Sequence, residues 1–210
     1  MTESPVWYSG VLHYLINGTL LFGSSIFLFL QIEDLRWIEL LTIPVVLVLG
    51  SLTVYLIHRY PLHQKYPSVR KQTYDQHTLI HHRFYTNELY DVGKDEESNT
   101  FFFPPAVVFS FTAIFLPGLY FLTQVFLPSN VVFLLVGMSS VYFILYEIVH
   151  YTSHLPEKHW IMNLGYFRRM RQHHLDHHDP RMMEKYNFNI VCPLFDYVFG
   201  TKVIPNDRQF

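Results

Sequence analysis

Cysteine occurs once in this chain, at Cys192, which excludes an internal disulfide framework and a cysteine-built metal site. Charge is scarce too. Charged residues make up 15% of the 210 and the formal net charge is -2, so there is no basic surface for nucleic acid. The few basic residues are better read as topology signals and headgroup neighbours. Internal repeats, low-complexity segments and a Gly-rich phosphate loop are all missing. What the chain has in excess is apolar side chains, at 50% of its residues with 18% aromatic. They gather in long runs instead of amphipathic spacing, which is a membrane profile.

Four runs approach or exceed the roughly 20 residues that a helix needs to cross the hydrocarbon. They are 10–32, 38–57, 105–127 and 131–149. The first follows "MTESPVWYS", which has no Lys or Arg, so it is expected to stay as a helix and not to be cleaved as a signal peptide. The connectors "EDLRW" (33–37) and "PSN" (128–130) read as tight turns on one side. Residues 58–100 and 150–210 then share the other side with the N-terminus. Of the 15 Lys and Arg, only Arg36 lies in a tight turn, and the positive-inside bias makes the shared side cytoplasmic. The expected architecture is an all-α membrane protein, a single domain over 1–210, with four transmembrane helices and a cytoplasmic helical cap (58–100 and 150–210) carrying a di-metal histidine cluster.

There are 13 histidines, and only His13 lies inside a membrane run away from the cytoplasmic ends. The others fall in "HRYPLH" (58–63), "HTLIHH" (77–82), "HYTSH" (150–154) and "HHLDHH" (173–178), with His159 standing alone. On an α-helix, positions i, i+3 and i+4 share a face, so His150 with His154, and His174 with His177 and His178, are expected to converge on a common point. Adjacent histidines diverge by about 100° and cannot serve one ion equally, so the doubled pairs suggest two metals. In "HRYPLH", Pro61 is expected to end or kink the second membrane helix and let His63 swing back towards His58. Two groups start where membrane helices end, which puts the site at the interface within reach of a lipid tail.

These segments, together with "YNFNIVCPLFDYVFGT" (186–201), resemble the fatty acid hydroxylase and sterol desaturase superfamily of integral membrane, histidine-ligated di-metal oxidoreductases. The likeness runs from about His58 to Thr201, and "FDYVFGT" is similar to the family's closing motif. The first two helices match only in character. Position by position, the resemblance implies the ligands His58, His63, His77, His81, His82, His150, His154, His174, His177 and His178. The family's H-x-x-H-H spacing selects His174 over His173, and the H-x-x-x-H-H of the second group is a spacing the superfamily also uses. The resemblance further implies two metal ions, iron in the active form with zinc able to occupy the site in purified protein. It implies dioxygen as co-substrate and hydroxylation of a membrane lipid C–H bond, with desaturation as the near neighbour. Electrons are expected from a separate donor protein, because no heme-binding donor domain is fused to the chain. Imidazole suits iron, zinc and copper alike, so the residues do not name the metal. Acyl chains, sphingolipids, sterols and carotenoids all remain open as substrates.

His13, His159 and His173 are read as structural hydrogen bonders. Glu147, one turn before His150, either orients an imidazole or snorkels as a helix-end charge. Asp176 and Asp179 flank the last ligands, where they either accept a ring N–H or stay solvated as loop acids. The stretches "FRRM" and "YNFNIVCPLFDYVF" are read as interfacial packing. An alternative reading is a membrane metal-binding or metal-transport protein. It wants ionisable residues along the spans, where only His13 is offered. A structural di-zinc protein would close every coordination position.

Overall fold

A computed structural model describes residues 10–204 apart from 70, 72, 87, 89 and 92–101. The amino-terminal "MTESPVWYS", positions 92–100 of the expected cap and the last six residues lie outside the described residues. Among the described residues the elements are helices and turns, with no strand. They are α1 (Gly10–Phe29), α2 (Thr42–Ile57), α3 (His82–Phe84), α4 (Pro105–Ser110), α5 (Leu116–Thr123), α6 (Ser129–Ser153), α7 (Gly165–His177) and α8 (Leu194–Val198). Three π turns interrupt or extend them, at His58–Leu62, Asp75–His81 and Phe111–Phe115.

Four helical spans are long and apolar enough to cross a membrane: Gly10–Phe29, Trp37–Leu62, Pro105–Thr123 and Ser129–Ser153. Their ends correct those read from hydropathy alone. The first stops at Phe29 and not at residue 32, because Gln31 and Ile32 close short turn bonds to Leu28 O and Phe29 O at 3.1 and 3.2 Å. The third stops at Thr123, ahead of residue 127. The fourth runs on to Ser153, beyond residue 149, and so carries His150 inside the helix. The second does not end at residue 57. An α turn would set the Pro61 ring against the carbonyl four residues back, and the chain instead widens into a π turn that continues to Leu62.

The chain forms two compact units, Met1–Gly50 with Phe102–Glu147 and Ser51–Phe101 with Ile148–Phe210. In the first unit, α1 buries His13, Asn17, Leu21, Ser25 and Leu28, one side chain per helical turn, and leaves Val11, Leu15, Phe22 and Ile26 exposed. An apolar exterior over a stripe of small and polar contacts is how helices pack in lipid. Ser140 Oγ donates to Leu21 O at 3.0 Å, and Gly137 lies so close to the Phe29 ring that an added Cβ would come within 2.5 Å of it. The two tight turns meet: Asn130 of "PSN" donates to Glu33 O at 2.6 Å and to Glu39 Oε2 at 3.1 Å. Phe103 is bound through both of its backbone polar groups. His13 Nε2 and Asn17 Nδ2 donate to its carbonyl at 2.9 Å each, and its N–H donates to Glu147 Oε1 at 3.1 Å.

In the second unit, the segment 186–201 folds around one carboxylate. Asp196, fully buried, accepts the N–H groups of Phe188 and Asn189 at 2.8 Å each and the Thr201 hydroxyl at 2.8 Å. Burial pushes this carboxyl up, but His173, the Asn189 N–H and the Thr201 hydroxyl outweigh it and hold it below the usual aspartate value. Asn187 adopts the left-handed conformation (φ 58°) that asparagine tolerates, and its side chain bridges His173 O and the Val203 N–H at 2.9 Å each.

Candidate metal centre

The second unit brings nine buried histidines into two groups, within each of which the candidate ligand atoms lie inside 4.8 Å of one another. One group is His58, His63, His77, His82 and His177; the other is His81, His150, His154 and His174. The adjacent pair His81–His82 is split between them, as two residues about 100° apart on a helix must be. His178 touches both groups. Its ring stacks on His82 with centroids 4.1 Å apart, and its Nε2 is 3.1 Å from His174 Nε2.

The π turns explain the larger group. A π turn hydrogen-bonds residues i and i+5, so it aligns side chains five apart that an α-helix would hold about 140° apart. His58 and His63 are five apart, as are His77 and His82, and their ring centroids approach to 5.1 and 4.8 Å. The His82 N–H bonds His77 O directly. Thr78 joins the two turns by donating its hydroxyl to Leu62 O at 2.6 Å. In the smaller group His81 closes the second π turn, and the rest follow α geometry: His150 lies in the last turn of α6, His154 directly follows that helix four positions on, and His174 comes from α7.

The expected convergence of His174, His177 and His178 needs correcting. His174 and His177 stack with centroids 5.8 Å apart, but each ring belongs to a different group. One helical turn of rise is enough to carry them past one another to neighbouring positions.

Backbone carbonyls fix the tautomers. A carbonyl oxygen only accepts, so each ring nitrogen facing one must carry the proton. His58, His154, His177 and His178 donate Nδ1–H to Phe188 O, Tyr90 O, Tyr186 O and Tyr85 O at 2.5, 3.1, 2.8 and 2.5 Å. Each Nε2 is left as a bare lone pair. His63 is set in the same way: Thr78 Oγ1 has spent its proton on Leu62 O, so at 3.3 Å it accepts from His63 Nδ1. The Nε2 atoms of His63 and His177 therefore face each other at 3.0 Å with no proton between them. Two lone pairs at that distance repel unless a cation lies beside both. About 3 Å is the separation of two nitrogens that each lie about 2.1 Å from one ion at right angles. His58 with His77 at 2.9 Å, and His154 with His174 at 3.1 Å, repeat the spacing. Burial first, and neighbouring imidazoles second, hold His63, His77, His82, His154, His174 and His177 well below the ordinary histidine value. They are thus neutral, the form that binds metal. The donor set suits two ions of the iron, zinc and copper class.

A sequence model for fatty acid hydroxylases matches residues 43–201. The chain belongs to the fatty acid hydroxylase family. The matched stretch contains every histidine of both groups. It is similar to the fatty acid 2-hydroxylase of Rattus norvegicus, 29% identical over 165 residues, covering 78% of this chain and 39% of that protein. The fatty acid 2-hydroxylases of Macaca fascicularis (27% over 155 residues, 74% of this chain and 37% of that protein) and Homo sapiens (28% over 153 residues, 73% and 37%) are similar too. The chain spans about two fifths of the length of these curated relatives. No solved structure matches.

In this family member, His173 and His159 make the structural hydrogen bonds expected of them, while Glu147, Asp176 and Asp179 depart from their expected roles. His173 donates Nε2–H to Asn189 O at 3.0 Å and lies 3.2 Å from Asp196 Oδ2, turned away from both groups. Glu147 accepts from the Phe103 N–H; among the described residues it neither meets an imidazole nor reaches solvent as a snorkelling charge. Asp176 and Asp179 are buried and not solvated: Asp176 accepts from Gln172 at 2.8 Å, and Arg181 chelates Asp179. His159 accepts from the Ile161 N–H at 3.4 Å, capping a short turn. Sequence reasoning missed the carbonyl acceptors entirely, because a carbonyl has no residue identity. Thr78 was within reach, as a hydroxyl inside "HTLIHH" beside an intended ligand.

Proposed function

We propose that this chain, acting as one domain, is a di-iron lipid hydroxylase that inserts one oxygen atom of dioxygen into a C–H bond of a fatty acyl chain. The balance is a C–H bond, one dioxygen, two electrons and two protons giving a C–OH group and one water, with the electrons delivered by a donor protein outside the domain. The observation that carries this reading is the pair of facing Nε2 lone pairs of His63 and His177 at 3.0 Å, inside a group of five buried imidazoles beside a second group of four. Two bound irons would supply dioxygen activation and hydrogen abstraction.

The chain's own residues hold that chemistry in place. His58, His63, His77, His82 and His177 would bind one ion; His81, His150, His154 and His174 would bind the other, with His178 reaching between them. Tyr85, Tyr90, Tyr186 and Phe188 carbonyls and the Thr78 hydroxyl orient the rings. Burial of all ten rings excludes water that would quench a strong oxidant. The relatives' name, fatty acid 2-hydroxylase, supports the carbon next to the acyl carbonyl as the target. That carbon rides at headgroup level, the level expected for histidines at the ends of two spans. The positive-inside bias supports a cytoplasmic face for the centre.

The test is conversion in liposomes. Iron-loaded protein given a reductant and acyl lipid in labelled dioxygen should yield a 2-hydroxyacyl product with the label in the new hydroxyl. A product two hydrogens lighter would replace hydroxylation with desaturation. Iron-loaded, reduced protein that leaves every acyl lipid unchanged would overturn the oxygenase reading in favour of metal binding or transport.

A further inference from the structure

The expected cap includes the closing segment 192–201, yet its contacts lie well down the second span. Asn189 Nδ2 donates to Ser51 O at 2.8 Å, and Ser51 Oγ donates to Cys192 O at 3.3 Å. The Phe199 ring lies 5.0 Å from that of Tyr55, and the Thr201 hydroxyl meets the Tyr55 hydroxyl at 3.3 Å. Residues 189–201 thus run beside Ser51–Tyr55, inside the Trp37–Leu62 span.

The first charge towards that end of the span is Arg59. Its guanidinium donates to the Tyr55 hydroxyl at 2.6 Å and lies 5.5 Å from the Tyr60 ring centre, the arrangement of a cation and aromatics at a membrane boundary. Ser51 and Tyr55 precede Arg59 by two turns and by one, so they lie about 12 and about 6 Å below it along the axis. Tyr55 falls within the depth reached by interfacial helices, about 5–10 Å, and Ser51 lies just past it.

Helix α8 has the side chains for that depth. Leu194, Tyr197, Val198 and Phe199 are exposed, Tyr197 at 67% and Val198 at 62%. The one charged residue of α8, Asp196, is turned inward and fully buried. We infer that α8 and Phe199 form an interfacial anchor, with their apolar side chains among the acyl chains of the bilayer, at the end of the second span that leads into the metal centre. The occupant of this face is lipid. The face continues the lipid-facing surface of the span beside it, where Leu56 and Ile57 are also exposed.

The experiment uses the whole protein in phosphatidylcholine liposomes. A nitroxide on Cys192, the single native and exposed cysteine, needs no substitution. A second nitroxide at Tyr197→Cys and a third at exposed Lys185→Cys, both in a Cys192→Ser background, give the comparison. Collisions with dissolved oxygen, which concentrates in the bilayer, should outweigh those with a water-soluble nickel chelate at 192 and 197, with the ratio reversed at 185. Nickel outweighing oxygen at 192 and 197 would overturn the proposal by placing α8 in water. Protection from both would overturn it by showing a protein, either a second copy or another partner, seated on the face.

Discussion

The two histidine groups are made largely from different backbones. The five-membered group rests on two π turns that align histidines five apart, whereas the four-membered group uses the i, i+4 pair His150 and His154 at the end of α6, one residue from α7 and a single π-turn residue, His81. The difference shows that spacing and turn type work as a pair. An H-x-x-x-H on an α-helix and an H-x-x-x-x-H on a π turn present the same two rings to one point.

The sharpest break in the comparison comes from neighbours on one helix. His174→Ala and His177→Ala lie one turn apart on α7, yet each should cost a different group its ion. Elemental analysis should find about one metal per chain in either variant and none in the double variant. Activity should fall by more than the roughly 10–100-fold typical of losing an outer hydrogen-bond partner. His173→Ala should keep both ions and lose instead about 1–3 kcal/mol of stability, the cost of leaving buried partners unpaired. Metal loss in His173→Ala with full loading in His174→Ala would reverse the assignment.

Changing the spacing tests the backbones themselves. One alanine inserted after Tyr151 separates His150 and His154 by five on a regular helix, about 140° apart, and should empty the four-membered group. Deleting Leu79 brings His77 and His82 to a separation of four, which an α turn carries on one face, so the five-membered group should keep its ion. Equal metal contents in the two variants would sink the coupling of spacing to turn type.

A smaller effect should follow at Thr78. Thr78→Val removes the acceptor of His63 Nδ1 and should weaken metal at the five-membered group by about 10-fold, with Thr78→Ser restoring it. Competition with a chelator reads the loss, and the four-membered group should not change. The smallest difference between the groups is expected with pH. Burial depresses the folded-state values of His63, His77 and His82 in one group and of His154 and His174 in the other. Below about pH 6.5 the unfolded chain binds protons that the folded, metal-free chain refuses. Stability of the metal-free protein should therefore be full above that value and fall as pH drops below it, and bound metal should move the loss to lower pH. Thermal melts of both forms from pH 7.5 to 5 give the comparison.

The spans and the histidines were legible because both are written in side chains: apolar runs of the right length, and imidazoles at helical intervals. The assignment of His81 and His82 to separate groups followed from the 100° step between them. The π turns were not legible. Pro61 announced a departure from α geometry without saying that the helix would widen instead of ending. Asp75–His81 contains no proline at all. Asp196 was hidden for a different reason. Within "LFDYVF" it is one acid in a stretch read as interfacial packing, and only the folded segment reveals the two N–H groups and the hydroxyl that bind it.

The backbone of Phe103 has a consequence for synthesis. His13 and Asn17 bind its carbonyl from 90 and 86 positions earlier, so they leave the ribosome long before their partner exists. Until then the first helix holds two polar side chains in lipid without the carbonyl that they bind in the folded chain, a state that costs free energy and favours temporary help from water, headgroups or an insertion factor. Glu147 arrives 44 positions after Phe103 and takes up the remaining N–H. Membrane assembly of this unit is thus timed by the backbone of one residue: the first span waits, the chain before the third releases it, and the fourth locks it.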